Sequence, residues 1–240
     1  MIIIGNGRLI TRNAAEPYYE NGAVVTENEL IKETGTTAEM RLKYPDAEFV
    51  DAKGGVIMPA FINAHTHIYS ALARGLSIAG YNPTNFYEVL DGMWWKIDRS
   101  LTLEDTRRSA YTTIIDCIKT GCTTIFDHHA SFCQIEGSLF AIADAAKALG
   151  IRACLCYEVS ERDGEKKCDE SIEENKSFID HCERENDPML KAMFGGHALF
   201  TIGDKTFEKC VKANGGRTGF HIHVCEGMND VYDSMKNYGC

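Results

Sequence analysis

The chain has 240 residues, of which 44% are hydrophobic, and a formal net charge of −10. That is enough apolar material for one large α/β domain or two smaller ones. The acids are spread rather than clustered and no basic patch stands out, which argues against a nucleic-acid groove or an anionic membrane surface as partner. The opening "MIIIGNGRLIT" lacks a basic leader and breaks at Gly5 after a short apolar run, so it reads as neither signal peptide nor membrane span. The ten cysteines form no C-x-x-C pair. Several, Cys117, Cys122, Cys154 and Cys156, sit inside apolar runs and read as reduced thiols, which points to the cytoplasm.

Residues 1–55 alternate short apolar runs with Gly and Asn turn signals, and predict a small antiparallel β unit. From Val56 the texture changes. "GVIMPAFINAHTH" predicts a buried strand running from Val56 through Ile62 and ending in His65 and His67, two residues apart and so on one face. The long "YNPTNFYEVLDGMWW" stretch follows, its Trp94 and Trp95 expected in core or lid packing. "TLEDTRRSAYTTIIDCIKTG" opens on a capping box at Thr102 and Asp105 and stops at Gly121, which predicts a helix. "CTTIFDHH" is a β-branched strand and "SLFAIADAAKALG" a helix closed by Gly150. "IRACLCYEV" predicts a strand, "DESIEENKSFIDHCEREN" a helix with His181 on its solvated face, and "LKAMFGGH" a further strand. "DKTFEKCVKA" reads as a helix, "TGFHIHVCEG" as a strand, and "NDVYDSMKNYG" as the start of another helix.

Strand–helix alternation means a parallel sheet, open or closed. The polar residues that could carry chemistry end several successive strands: His65 and His67, Asp127 to His129, His197, then His221 and His223. A barrel gathers such ends at one mouth, whereas an open sheet usually places a Gly-rich phosphate loop at a switch point, and no G-x-G-x-x-G follows an early strand here. The barrel is the better reading.

"HIHVCEG" repeats the H-x-H pattern and adds Glu226 three residues after His223. Neutral imidazoles bind Zn²⁺ or Fe²⁺, and a carboxylate beside them can carry the proton released when bound water attacks. His221, two residues before His223, is expected to pack behind it rather than to ligate. The zinc-type nucleobase deaminases require H-x-E followed by P-C-x-x-C; here the residue two after His65 is another histidine and no P-C-x-x-C occurs.

Taken in order, "PAFINAHTH", "GGHALFT" and "HIHVCEG" resemble the amidohydrolase superfamily, in its branch of cytosine deaminases, chlorohydrolases and aminohydrolases. "WWKIDRSLTLED", "CTTIFDHHAS" and "IRACLCYEVSERDGE" are similar to the selenium-associated aminohydrolases of the SsnA type. The resemblance implies an α/β fold, a (β/α)8 TIM barrel beside a small β-sandwich. Residues 1–55 would belong to the sandwich and 56–240 to the barrel. It also implies one divalent metal ion, Zn or Fe, held by His65, His67 and His223, and Glu226 as the proton-shuttling catalytic residue. His197 matches a substrate-contacting histidine, and His128, at the mouth end of its strand, is a second substrate-binding candidate.

The activity implied is hydrolysis of a C–N bond on a small, heterocyclic substrate by metal-activated water. No lysine can be assigned as a bridging carbamate, which favours a single ion. Ala60 stands where the family has glycine. The family also uses a sixth-strand histidine and an eighth-strand aspartate. About 185 residues follow the first unit, against about 250 for a whole barrel, so the expectation is a barrel truncated after strand 5. The alternative function is then a non-catalytic fragment that binds metal without turnover. Open strand edges make a homo-oligomer a further expectation.

Overall fold

The computed structural model describes residues 1–239, which divide into two compact units, one ending at Ala60 and the next beginning at Phe61. In the first, β1 (Ile2–Ile10) lies between β2 (Tyr18–Glu27) and the short strands β4 (Glu48–Asp51) and β5 (Val56–Ile57), and β3 (Leu30–Thr36) forms the far edge beyond β2. The β1–β2 and β2–β3 pairs are antiparallel, but β4 and β5 both run parallel to β1. The expected all-antiparallel unit is therefore a mixed sheet. A parallel return needs a crossover, and helix α1 (Thr37–Lys43), absent from the sequence reading, begins the one leading to β4. It starts on a Thr36–Glu39 capping box and buries Met40 against Ile3, Ala23 and Val25.

The apolar run from Val56 to Ile62 is not one strand. Val56 and Ile57 pair with Arg8 and Leu9 of β1, whereas Phe61 begins β6 (Phe61–Thr66) of the second unit. Pro59 separates the two pieces, having no N–H for a ladder. The division thus falls a few residues later than the expected boundary at 55/56.

In the second unit β6, β7 (Cys122–His129), β8 (Arg152–Tyr157) and β9 (Leu190–Ala192) form a parallel sheet in chain order. β10 (Phe194–Gly196) pairs in parallel with β11 (Phe220–Ile222). The predicted "LKAMFGGH" strand is thus two pieces, and a Val159–Gly196 bridge with the His197 N–H to Val159 carbonyl bond links β10 to the β8 side. Between β6 and β7 run a 3-10 segment (Ile68–Ala73), a helical stretch with α2 (Phe86–Val89), a π-helical turn and α3 (Trp95–Asp98), and then α4 (Leu103–Lys119). The α4 helix carries the expected Thr102–Asp105 capping box. Helices α5 (Ser138–Leu149), α6 (Glu165–Glu185) and α7 (Asp204–Asn214) separate the later strands, and α8 (Met228–Tyr238) follows β11.

The core lies between sheet and helices, with Ile114, Ile125, Leu139, Ile142, Leu155, Tyr157 and Phe178 all but inaccessible. The nine described cysteines are free; Cys117, Cys154 and Cys156 are buried and Cys122 half-buried. His181, expected on a solvated face, packs against Phe140 and Phe178. Among the described residues no helix is long and apolar enough to cross a membrane.

The split strand is held by one side chain. Asn175 of α6 is fully buried and accepts from the backbone N–H of both Tyr157 (2.9 Å) and Gly195 (3.0 Å), while its Nδ2 donates to the Tyr157 carbonyl (2.8 Å). It stands in for a missing piece of ladder. At Gly195 a Cβ would come within 2.2 Å of that same carbonyl, so only glycine fits. Asn175→Leu should strand two buried N–H groups and cost about 2–5 kcal/mol. Urea unfolding measures this, and a midpoint unchanged from wild type would refute the bridging role.

Candidate metal centre and active site

Each strand of the second unit delivers its polar residues at the C-terminal end. His67 follows β6 and enters the 3-10 segment, whose first N–H, from Ile68, is fixed by Asp127 Oδ1 at 2.7 Å. Asp127 is fully buried, and burial raises its carboxyl to about 7. The His67 Nδ1 lies 2.8 Å from the His128 carbonyl. A carbonyl only accepts, so Nδ1 carries the proton and Nε2 keeps its lone pair. The His65 Nδ1 contacts His221 Nε2 at 2.8 Å, which leaves His65 Nε2 for the interior.

His221 therefore stands behind His65, which belongs to the opposite end of the strand series. His223 Nε2 approaches His65 Nε2 to 3.3 Å, and its own N–H donates to the His197 carbonyl. Ligand nitrogens of His65, His67 and His223 all lie within 4.8 Å of one another. Burial lowers His67 to about 4 and His223 to about 3, with the neighbouring His128 adding to both shifts, and His65 is lowered for the same reasons. At neutral pH all three rings are uncharged, as ligation requires.

His197 is buried, and its Nδ1 lies 2.6 Å from Thr201 Oγ1. That hydroxyl donates to the Ala198 carbonyl, so it accepts from Nδ1–H and leaves Nε2 as an acceptor. His128 sits differently from its expected place at substrate. Its ring is fully buried, with Nε2 on the Gly196 carbonyl at 2.9 Å and Nδ1 facing Glu158 Oε2 at 3.5 Å. The ring does not line the cavity, but its Nδ1 has no hydrogen-bond partner and groups with His67 and Glu158 as a candidate ligand set. Burial works against its proton, but Glu158 and the Gly196 carbonyl outweigh burial and hold its pKa above the ordinary value.

Glu158, just past β8, was not among the residues singled out from the sequence. It ends the apolar run "IRACLCY" at the level where "DHH" and "GGH" end theirs, and that position was the available signal. It is buried. Burial opposes its charge, but His197, His128 and Arg162 together keep its carboxyl well below the usual range. Arg162 Nη2 lies 3.3 Å from Glu158 Oε1, while its forked contact goes to the buried Asp98 at 2.6 and 3.3 Å. The guanidinium also stacks on Trp95 and Phe132.

Glu226 reaches the same space by a tight turn. Cys225 takes a left-handed conformation (φ 54°), and Asp230 Oδ2 accepts from the backbone N–H of Glu226 (3.0 Å) and Gly227 (3.2 Å). Burial and the Asp230 and Glu158 carboxylates raise the Glu226 pKa. A cavity of about 170 Å³ brings His67, His197, His223, Glu158 and Glu226 together against an aromatic wall that includes Phe86, Trp94 and Trp95. A wider groove of about 560 Å³ lies on another side of Trp95, among Tyr87, Arg99 and Tyr238, and is lined by no histidine.

Residues 56–240 match the amidohydrolase family, and residues 22–47 match a bacterial imidazolonepropionase-like composite domain. The chain is 30% identical over 239 residues to a 5'-deoxyadenosine deaminase of Methanosarcina barkeri, covering 99% of this chain and 52% of that protein. It is 29% identical to a 5-methylthioadenosine/S-adenosylhomocysteine deaminase of Syntrophomonas wolfei, with the same coverage. The chain thus spans about half the length of these relatives. Among solved structures, a zinc-bound adenosine deaminase from Xanthomonas campestris superposes with a TM-score of 0.78 at 21% identity, over 99% of this chain and 52% of that one. With the strand-end histidines meeting as described and the match running from Val56 onward, the chain belongs to the amidohydrolase family and has its α/β fold.

Proposed function

We propose that the chain carries the metal-binding and proton-transfer residues of a hydrolase that cleaves a C–N bond on a small heterocyclic substrate. In this reading residues 1–60 belong to a small β-sandwich and the chain from Phe61 onward supplies the first five strands of a (β/α)8 barrel. The observation that carries it is the 3.3 Å separation of His65 Nε2 and His223 Nε2. Two nitrogens bound to zinc at 2.0–2.1 Å in a tetrahedron stand about 3.3–3.4 Å apart. His67 Nε2, freed by the His128 carbonyl, completes the set. A Zn²⁺ or Fe²⁺ bound there supplies Lewis acidity and lowers the pKa of a water at its open position.

The side chains divide the remaining work. Glu226, with its raised pKa, takes the proton of the attacking water and passes it to the departing nitrogen. One C–O bond forms, the C–N bond breaks, and ammonia leaves. His197 Nε2 accepts from a substrate N–H, and the aromatic wall excludes water from the ring. His128 holds Glu158 and does not touch substrate.

The purified chain, dialysed against Zn²⁺, should bind one equivalent by elemental analysis. His67→Ala and His223→Ala should each lower this to well below half an equivalent, and unchanged metal content in either would remove the site. With metal bound, Glu226→Gln should cut ammonia release from aminated heterocycles by about 100-fold or more. Full metal occupancy with no turnover in the unmutated chain would leave binding without catalysis.

Acid should destabilise the metal-free protein. His67 and His129, lowered by burial to about 4 and about 3, stay neutral when folded but take up protons near 6.5 when unfolded. The unfolded state then binds more protons between about pH 6.5 and 4, so stability falls as pH drops through that window. Each such ring contributes a slope of up to about 1.4 kcal/mol per pH unit. Asp127 and Asp98, raised by burial to about 7, and His128 oppose the trend, while His221 and His223, lowered to about 4 and about 3, add to it. Thermal melts from pH 7.5 to 4 measure this, and a flat profile would contradict the neutral cluster.

A further inference from the structure

We propose that Glu158 and His197 form an acceptor pair that selects rings presenting two adjacent N–H donors, the edge of a cyclic amidine or guanidine. The proposal deepens the hydrolase reading and rests on it for the reaction, though the recognition itself does not require turnover.

Glu158 is only 3% exposed, yet it lines the cavity. A carboxylate offers about four acceptor sites. One is used, by Arg162 at 3.3 Å; His128 Nδ1 stands off at 3.5 Å and His197 Nε2 at 4.0 Å. Arg162 gives its shorter, forked contact to Asp98. Beside Glu158, His197 presents a second lone pair, because its only N–H is committed to Thr201 and the Thr201 proton to Ala198. The buried end of the cavity is therefore acceptor beside acceptor. The wall formed by Phe86, Trp94 and Trp95 suits a flat ring.

A ring edge with neighbouring N–H groups satisfies both acceptors. An acceptor–donor edge, as on cytosine or adenine, sets a ring lone pair against one of them, and a buried polar site left unpaired discriminates strongly. A second metal ion at Glu158, His197 and His223, whose ligand atoms also lie within 4.8 Å of one another, would have to sit beside the Arg162 guanidinium. Charge repulsion disfavours it.

The test is calorimetric titration of the Zn²⁺-loaded chain with isocytosine and 9-methylguanine, against cytosine and 9-methyladenine. Binding should favour the first pair at least tenfold. Glu158→Gln, whose amide offers one acceptor and one donor, should abolish or reverse that preference. Equal binding of the two pairs, no binding of either, or an unchanged preference in a folded Glu158→Gln chain would each overturn the proposal. So would two equivalents of zinc falling to one in that variant. If Glu158→Gln does not fold by circular dichroism, the ligand preference of the unmutated chain decides alone. The same titration in His65→Ala separates the two readings: a preserved preference with zinc content unchanged keeps the acceptor pair and removes the metal site. Wild-type zinc binding without preference does the reverse.

Discussion

Two imidazole nitrogens 3.3 Å apart, at the C-terminal ends of β6 and β11, can coexist only if the two rings are not both charged. That constraint organises what surrounds them. Burial keeps the rings neutral, the His128 carbonyl behind His67 fixes which of its nitrogens turns inward, and the His221 ring stands behind His65. The same geometry that makes the cluster costly when protonated makes it a cation site when it is not. Asp127 contributes without facing the cavity, by fixing the Ile68 N–H and so the direction in which the chain leaves His67.

Near Gly195 the backbones of β8 and β10 run too close for any side chain. The ladder is interrupted there, and Asn175 takes the hydrogen bonds that a regular strand would have shared. A buried amide is therefore part of the apparatus that sets the mouth. Its place on α6 ties the helix layer to the strand ends that carry Glu158 and His197.

Much of this was legible in residue pattern. The H-x-H pairs announced their faces by the period of two, and Thr102 with Asp105 announced the start of α4. What escaped had non-local causes. Helix α1 is seven residues long and held by one capping box and one buried methionine, too little periodicity to register. Pro59 lies within the expected strand, but the partner that claims Val56 and Ile57 is β1, some fifty residues away. Glu158 looked like the polar end of a strand. Its meaning comes from Arg162 four residues on, Asp98 sixty residues earlier and His128 on the neighbouring strand, a convergence no local spacing encodes. The surroundings of His128 escaped local reading for the same reason: its strand-end position suggests the mouth, while its Nε2 lies on the Gly196 carbonyl.

The two carboxylates of the cavity show how one site keeps two acids in different states. Glu158 is the more deeply buried, yet a guanidinium and two imidazoles surround it and hold it ionised. Glu226 is nearer solvent, but its neighbours include Asp230 and Glu158 itself, so its proton is held more tightly. Pairs of acids pushed apart in this way take separate parts in catalysis. A group fixed in its charged form cannot ferry a proton at neutral pH, whereas one with a raised pKa can. In the proposed reaction recognition therefore falls to Glu158 and proton transfer to Glu226, an assignment that rests on what stands beside each carboxylate rather than on how deeply it lies.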